Sequence, residues 1–354
     1  MATSRQKKRV VLVHPRGFNW FPGKRDITDI ANRMVPQGLL SIAAYLSRQG
    51  HDVFVYDCLG PEAPTDLQKQ AQAILAHQPQ MVGFSATTSS FPDAADLAQS
   101  IKKKSPDVIT VCGGVHVSAL EDILLKDYSA FDFLVAGEGE ETIAELAADL
   151  EPAAIKGLIW KNKEEIIANE SRPKIADLDS LPFPAYAKLK GFPHDYHLPL
   201  FSYINTPVAT MITSRGCMYQ CSYCDRSVFK KSFRYNSAAY IYEHMKHLRE
   251  KFGVRHVNIY DDLFTANRQR IVDLCEKLNR HPLGIHFNCA VRVGYTDDDL
   301  LKLLKDAGCL MVSLGIESAD PDMLARHKSG VSLDEVRDTV QRIQKSGLRV
   351  KGLL

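Results

Sequence analysis

The amino-acid sequence predicts an α/β protein with two parallel-sheet domains, the first doubly wound and the second a partial barrel. Three observations predict this class: short β-rich runs alternate with helical patterns over 9–150, the alternation breaks over 151–207, and it then returns. We expect domains at 1–150 and 206–354, joined by a hairpin and linker at 151–205. A chain of 354 residues is long enough for two such cores.

The first domain contains five predicted β-α units. Its strand segments read RVVLVH, HDVFVYD, MVGFSA, VITVCGG and FLVAGEG, and the helical patterns that follow them cover 36–50, 66–77, 93–104, 118–126 and 141–150. Such alternation indicates a parallel sheet with helices on both faces, of Rossmann-like (flavodoxin-like) type. Sheets of this type bind ligands beyond the carboxyl ends of their strands.

Four loops are expected to meet at that carboxyl edge, beginning at His14, Ser85, Gly113 and Gly137. They are rich in glycine, which allows close approach of the backbone, and in hydroxyl groups, which donate and accept hydrogen bonds. Turn chemistry and helix capping are the alternative explanation for any single loop. Four such loops together favour a ligand site, although no GxGxxG fingerprint of a dinucleotide site follows the first strand.

The second domain repeats the β-α pattern after a hairpin, predicted from GLIWKN and EEIIANE. Its strand segments are VATMIT, VRHVNIY, IHFNCAV, LMVSLGI and LRVKGLL, and its helices are predicted over 237–252, 268–279, 297–307 and 332–346. Five strands and four helices describe a partial (β/α)6 TIM-like barrel. The last strand segment reaches Leu354, so we expect the chain to be truncated before the barrel closes.

Charge and composition exclude several classes of function. A net charge of +2 from 44 basic and 42 acidic residues gives no broad field to attract nucleic acid. No apolar run approaches the roughly 20 residues that span a bilayer, so no membrane span and a cytoplasmic location are expected. Eight cysteines are too few for a disulfide scaffold, and three of them lie within 217–224, which indicates metal binding in a reducing compartment.

Those three cysteines form the motif SRGCMYQCSYC directly after the strand VATMIT. A CxxxCxxC segment supplies three thiolates, namely Cys217, Cys221 and Cys224, whereas a 4Fe-4S cluster has four irons, so one iron stays open to a ligand. A structural zinc site would need a fourth ligand, for which His244 and His247 in a predicted helix are the candidates. Three coincidentally buried cysteines are the remaining alternative.

The motif, with Tyr223 before its third cysteine, resembles the radical S-adenosylmethionine (radical SAM) superfamily signature. The resemblance implies that the open iron chelates the methionine moiety of the cofactor and that an electron from the cluster generates a 5′-deoxyadenosyl radical. It further places Tyr223 against adenine and Glu317 on the ribose, with Asp261, Asp262 and Arg292 near cofactor or substrate. IYDDLF, VRV, LGIES and HKSG are weaker matches. Helix capping is the alternative for the aspartates, and a surface ion pair for Arg292.

The first domain resembles the cobalamin-binding domain of cobalamin-dependent radical enzymes through PQGLL, SATTSS, GGVHVS and GEGEET. The residues that this resemblance implies for cobalamin binding are His14, Pro15, Gly38, Ser85, Thr87, Thr88, Ser89, Gly113, Gly114, His116, Gly137 and Glu138. The DxHxxG pattern that supplies a lower histidine ligand to cobalt is absent. No residue is therefore assigned to the lower face, which implies a base-off cofactor or, alternatively, an empty domain.

The two resemblances together imply an enzyme with a 4Fe-4S cluster, S-adenosylmethionine and cobalamin, belonging to the methyltransferase and anaerobic magnesium-protoporphyrin ester cyclase-like group. We expect methylation of an unactivated carbon in a small-molecule or peptide substrate, with an electron donor such as flavodoxin or ferredoxin. Oxidative cyclisation or rearrangement is the second hypothesis, and a non-catalytic cobalamin or metal sensor the third. A methylthiotransferase is disfavoured, since Cys58 and Cys112 lie on separate strands and do not supply a second three-cysteine cluster.

Overall fold

The computed structural model describes residues 7–17, 33–199, 202–328 and 330–354. The part of the loop after His14 that covers 18–23, and Ser329 of the HKSG segment, lie outside the described residues. The described chain divides into two compact units. The first comprises 7–17, Pro36–Ile175 and Leu181–Asp195, and the second comprises 33–35, Ala176–Ser180 and the described part of Tyr196–Leu354.

The first unit is built on one sheet. Its strands are β1 (Arg9–His14), β2 (Asp52–Asp57), β3 (Met81–Ser85), β4 (Ile109–Gly113), β5 (Phe133–Val135), β6 (Leu158–Asn162) and β7 (Glu165–Ala168). Among the described residues the order is β2-β1-β3-β4-β5-β6-β7, with β1 to β5 parallel and the hairpin β6-β7 added antiparallel at the edge. The strand order 2-1-3-4-5 confirms the flavodoxin-like prediction. From β1 the chain adds β2 on one side of the sheet and β3 to β5 on the other, so the strand order reverses between β1 and β3.

Helices cover both faces of this sheet, because β1 is apolar on both sides. Val11 and Val13 pack into one hydrophobic core, and Val10 and Leu12 pack into the other. The covering helices are Gln37–Arg48, Leu67–Leu75, Phe91–Lys104, Val115–Leu120, Ile123–Asp127 and Glu140–Ala147. The prediction of a single helix over 118–126 was wrong, since Glu121 adopts a φ of +52°, a left-handed conformation that interrupts an α-helix.

The second unit is also built on a parallel sheet. Its strands are β8 (Val208–Met211), β11 (His256–Ile259), β12 (His286–Val291), β13 (Cys309–Gly315) and β14 (Arg349–Leu353), in the order β14-β13-β12-β11-β8 within the described chain. The helices Ala238–Phe252, Arg268–Arg280, Asp298–Asp306 and Leu333–Lys345 follow as predicted. This alternation of parallel strands and helices confirms the predicted barrel-like fold class.

Short elements around the cysteine motif were not predicted. They include an antiparallel pair of two-residue strands, β9 (Ser214–Arg215) and β10 (Arg234–Tyr235), and the short helix Pro321–His327. The strands precede and follow the motif, and the last residue of the helix accepts a hydrogen bond from the Ser222 N–H at 3.1 Å. No described helix has the length and apolar content needed to cross a bilayer.

Two buried histidines predict that the second unit loses stability in acid. His244 is 2% exposed and His256 is 0% exposed, and burial lowers the pKa of the first to about 3 and of the second to about 4 from the ordinary value of 6.5. The folded protein keeps both rings neutral, whereas the unfolded chain binds protons below about pH 6.5. The two neutral rings therefore make their full contribution to the free energy of unfolding above about pH 6.5. That contribution is lost as the pH falls towards 4.

Urea unfolding of the second unit at about pH 7.5 and about pH 5 measures this effect. We expect a lower midpoint in acid, and a smaller difference between the two pH values in His256→Phe. The exposed residue His281 provides the control His281→Asn, which should keep the full pH dependence. A wild-type midpoint that does not change with pH would contradict the assignment of both rings as buried and neutral.

Candidate cofactor sites

A cleft of about 250 Å³ lies at the carboxyl edge of the first sheet, between the ends of β1 and β3. This is the point at which the strand order reverses, where doubly wound sheets bind their ligands. The lining residues are His14, Pro15, Arg16, Gly17, Pro36, Gln37, Gly38, Leu39, Ser85, Ala86, Thr87, Ser89, Ser90 and Val115. The position of the cleft fits a ligand that lies over the sheet edge.

Glycine allows the loops after β3 and β4 to pack against each other beside this cleft. Gly114 has a φ of +101°, and a Cβ there would lie 2.7 Å from the carbonyl oxygen of Ala86. The Ala86 N–H donates to Gly113 O at 3.0 Å, and the Thr87 N–H donates to Ser90 Oγ at 2.9 Å. The protein's own hydrogen bonds therefore hold these loops against each other.

The structure brings half of the predicted cobalamin residues to the cleft. These are His14, Pro15, Gly38, Ser85, Thr87 and Ser89, whereas Thr88, Gly113, Gly114, His116, Gly137 and Glu138 are not among its lining residues. Glu138 is buried and accepts a hydrogen bond from the Ile175 N–H at 3.0 Å, and the Gly137 N–H donates to Ser118 Oγ at 3.0 Å. Glu138 and Gly137 therefore form hydrogen bonds within the protein at this edge of the sheet. Arg16 and Gln37 also line the cleft but were not among the predicted binding residues. The sequence indicates them only through their predicted neighbours Pro15 and Gly38.

Both candidate histidines of the first unit have protein partners. His14 Nδ1 lies 2.9 Å from Asp57 Oδ1, whose side chain is 3% exposed. His116 Nδ1 lies 3.1 Å from Thr88 Oγ1, its ring is 4.5 Å from that of Phe91, and burial lowers its pKa. Neither contact assigns a ligand to the lower face of cobalt.

The cysteine loop of the second unit begins at the end of β9. Gly216, with a φ of +84°, precedes Cys217, and a Cβ there would clash with the carbonyl oxygen of Ser232. The backbone of Cys217 pairs with that of Lys231, so the segment before β10 lies alongside the first cysteine. Cys221 is buried and Cys224 is exposed, with the Cys224 N–H donating to Cys221 O at 3.2 Å.

The chemistry of these thiols fits an iron-sulfur cluster. Burial and then the charges of Cys221 and Cys217 raise the pKa of Cys224, so the three thiolates repel one another and would be stabilised by a bound cation. A 4Fe-4S cluster takes one thiolate on each of three irons, and the loop provides three cysteines. His244, a zinc candidate, is buried on its helix with its ring 6.1 Å from that of Tyr240.

Arg292 lies directly beside the cysteine loop. Its guanidinium carbon is 3.8 Å from the centre of the Tyr219 ring, and Nη1 is 3.7 Å from Cys221 Sγ. The Tyr219 hydroxyl in turn lies 2.7 Å from that of Tyr295. This position places a fixed positive charge next to the sulfur of Cys221.

Glu317 forms a second polar group near the cysteines. It has a φ of +70°, and its Oε1 lies 3.4 Å from Nζ of Lys328, whose side chain is 3% exposed and also donates to Gly315 O. Burial, followed by a hydrogen bond with Cys221 and the charge of Glu317, raises the pKa of Tyr223. Lys328 belongs to the HKSG segment of the sequence, and the structure places its amino group between Glu317 and the carbonyl oxygen of Gly315.

Asp261 occupies a different position from the one expected for a cofactor contact. Its side chain is 0% exposed, and its oxygens accept hydrogen bonds from the backbone N–H groups of Thr213 and Ser214 and from the Thr213 hydroxyl. Asn267 caps the helix Arg268–Arg280, so capping does not explain Asp261 either. We therefore withdraw Asp261 from the cofactor contacts.

Each unit thus presents a candidate cofactor site at the carboxyl edge of a parallel sheet, an arrangement typical of α/β enzymes. A model of the B12 binding domain matches residues 24–147, and a model of the radical SAM superfamily matches residues 211–354. The chain belongs to the cobalamin-binding radical SAM enzymes. The matches confirm the family that the sequence resembles and its cofactors: cobalamin, S-adenosylmethionine and a 4Fe-4S cluster.

Two relatives support this family, and a solved structure shares the fold. An uncharacterized methyltransferase of Pyrococcus horikoshii is 31% identical over 90% of this chain and 68% of its own length. The anaerobic magnesium-protoporphyrin IX monomethyl ester cyclase of Rubrivivax gelatinosus is 26% identical over 96% of this chain and 61% of its own. The cobalamin-dependent radical enzyme OxsB shares the fold, with a TM-score of 0.80 at 19% identity, over 98% of this chain and 49% of its own. This chain therefore spans about half to two thirds of the length of the proteins that it matches.

Proposed function

We propose that the protein cleaves S-adenosylmethionine at a cluster held by Cys217, Cys221 and Cys224, and that it uses cobalamin in the first unit to methylate an unactivated carbon. The observation that carries the proposal is that one chain contains both the three-thiol loop and the cleft at the strand-order reversal. The loop lies inside the segment matched by the radical SAM model, and ten of the fourteen residues that line the cleft lie inside the segment matched by the B12 binding domain model. When bound, the cluster supplies an electron for cleavage and cobalamin supplies the methyl group. The substrate is a small molecule or a peptide.

The residues around the thiols provide charge for this chemistry. Arg292, beside Cys221, offsets thiolate charge and favours the ligated state of that residue. Glu317 would accept hydrogen bonds from the ribose of S-adenosylmethionine, and Lys328 holds its carboxylate in place. Tyr223, 47% exposed, would offer its ring to the adenine.

Changes at Glu317 and Lys328 test this arrangement. Glu317→Gln and Lys328→Met should each weaken S-adenosylmethionine binding roughly tenfold or more, because a hydrogen bond to a charged group contributes about 1.5–3 kcal/mol. Equilibrium dialysis of the anaerobically reconstituted protein measures the affinity. Glu276→Gln, an exposed glutamate on the helix Arg268–Arg280, is the control and should bind normally. Wild-type affinity in both site variants would remove these residues from the cofactor site.

Oxidative cyclisation is the second candidate, favoured by the match to a cyclase over 96% of this chain. S-adenosylmethionine that carries an isotope in its methyl group separates the two candidates without knowledge of the substrate. With reduced cobalamin bound, methyl transfer predicts labelled methylcobalamin and S-adenosylhomocysteine. Cleavage to 5′-deoxyadenosine without either product would support cyclisation and contradict methyl transfer.

We infer that an acidic one-electron carrier, such as a flavodoxin or ferredoxin, docks beside the cysteine loop. The segment 225–235 has four basic residues and one acidic residue, and Lys230 and Lys231 within it are exposed. Lys231 lies alongside Cys217 through their backbone pairing. Positive charge there would attract an acidic partner, with a rate that falls as salt screens it.

Charge reversal tests the docking surface. Lys230→Glu with Lys231→Glu should slow cluster reduction by a reduced flavodoxin about tenfold at low salt, since electrostatic steering raises association rates by about 10-fold to 1000-fold. Reduction by dithionite should not change. The matched control is the double variant Lys251→Glu with Lys345→Glu. These two exposed lysines lie on the helices Ala238–Phe252 and Leu333–Lys345, outside the segment 225–235. Equal rates for the two double variants would contradict docking at 230–231.

A further inference from the structure

Thr213, four residues before Cys217, is held by two buried side chains from outside the loop. Asp261, just after β11, accepts hydrogen bonds from the Thr213 N–H and, at 3.0 Å, from the Ser214 N–H through Oδ1. Its Oδ2 accepts from the Thr213 hydroxyl at 2.6 Å. Arg270 donates to the Thr213 carbonyl oxygen at 3.0 Å through Nη1. Every backbone polar group of Thr213 therefore has a partner in this pair.

Arg270 connects the same point to the helix Arg268–Arg280. Its Nη2 donates to Phe264 O at 2.8 Å and lies 3.5 Å from Asp261 Oδ2. Its guanidinium carbon is 5.2 Å from the Phe264 ring and 5.3 Å from the Tyr235 ring. The side chain is 2% exposed, and a planar guanidinium is the cation whose geometry reaches two carbonyl oxygens and a carboxylate at once.

The contacts continue from Thr213 to the first cysteine without a break. Ser214 pairs with Tyr235 across β9 and β10, Gly216 packs closely on Ser232, and Cys217 pairs with Lys231. The Asp261 and Arg270 pair thus lies at the buried end of a short segment, 213–217, whose backbone pairs with 231–235 as far as Cys217. A buried ion pair contributes little net stability by itself, since desolvation offsets the attraction. Both members of this pair instead form hydrogen bonds with Thr213, which favours a role in fixing the position of that residue.

We propose that Asp261 and Arg270 are positioning residues that fix the Cys217 end of the cysteine loop, so that the three thiols reach one cluster. The inference rests on the proposed function insofar as the loop binds iron, and it assigns neither residue a contact with cofactor or substrate. Residues that orient metal ligands from behind commonly change metal affinity by about 10-fold to 100-fold when replaced. The pair should therefore control how firmly the cluster is retained.

The test compares Arg270→Lys and Asp261→Asn in the full chain after anaerobic reconstitution. Lysine keeps the charge at position 270 but does not reach the carbonyl oxygens of both Thr213 and Phe264. Asparagine at position 261 replaces one carboxylate oxygen by an NH₂ group, which cannot accept the hydrogen bond of the Thr213 hydroxyl or pair with Arg270. Both variants should lose iron to a chelator roughly tenfold faster than the wild type. The electron paramagnetic resonance spectrum of the reduced cluster should also change. Arg280→Lys and Asp273→Asn, exposed on the same helix, are the matched controls.

Thr213→Val provides a milder variant in case the first two fold poorly, because it removes only the hydroxyl that donates to Asp261. Faster iron loss and an altered spectrum at an unchanged thermal midpoint of the apoprotein would support positioning, since a general loss of stability would shift the midpoint. Wild-type iron retention and spectrum in Thr213→Val, or in folded Arg270→Lys, would overturn the inference. A wild-type protein that assembles a cluster without cleaving S-adenosylmethionine would contradict the proposed function and leave this result intact.

Discussion

Replacement of Cys217, Cys221 or Cys224 by alanine is expected to abolish cluster assembly and the cleavage of S-adenosylmethionine. In the proposed site each thiolate is the protein ligand of one iron, and the motif contains no further cysteine that could replace it. A cluster that has lost a ligand neither stays bound nor supplies the electron. Iron content, visible absorbance after anaerobic reconstitution and 5′-deoxyadenosine formation should all fall to background in each single variant.

Buried cysteines of the first unit provide the control for this experiment. Cys58 and Cys112 are buried in the hydrophobic core of the first unit, whereas the cysteine loop belongs to the second unit. Cys58→Ala should therefore retain its iron and its activity. Cluster absorbance that persists in the Cys217, Cys221 or Cys224 variant would exclude that residue as a ligand.

Gly38→Phe is expected to remove cobalamin binding while the second unit retains its cluster. Gly38 lines the cleft between β1 and β3, and a Cβ there would meet no atom within 4 Å, so a larger side chain enters open space without backbone strain. A phenyl ring would then occupy part of a cleft of about 250 Å³. After incubation with cobalamin and gel filtration, the corrin absorbance of the variant should fall to background.

The matched control for Gly38→Phe is Gln49→Phe. Gln49 is exposed just beyond the other end of the same helix, so the substitution adds the same ring away from the cleft. This control should bind cobalamin as the wild type does. Normal corrin binding by a folded Gly38→Phe protein would show that the cleft between β1 and β3 is not the cobalamin site.

The fold and the cysteine motif of the family could be predicted because their signals are local in sequence. The apolar run Val10–Val13 predicts a strand buried on both faces, and the structure buries it so. The spacing of Cys217, Cys221 and Cys224 on one loop indicates a shared metal without knowledge of distant contacts. Residues that act within one loop or one element are the ones that a single sequence can reveal.

The remaining parts of the sites depend on contacts between distant segments. Asp261 reaches Thr213 across 48 positions, so its burial and hydrogen bonds give no local signal, and the sequence suggested a cofactor contact instead. The strands β9 and β10 have two residues each and are too short to show an alternating pattern. Glu317 and Lys328 meet because β13 and the helix Pro321–His327 bring them together, which periodicity does not reveal.

The central claim is that this chain is a radical SAM enzyme whose cluster is held by three cysteines. The most direct measurement is the formation of 5′-deoxyadenosine after anaerobic reconstitution with iron, sulfide and cobalamin and addition of dithionite and S-adenosylmethionine. We expect 5′-deoxyadenosine from the wild type and none from the Cys221→Ala variant. A wild-type protein that holds its cluster and binds S-adenosylmethionine but forms no 5′-deoxyadenosine would contradict the claim.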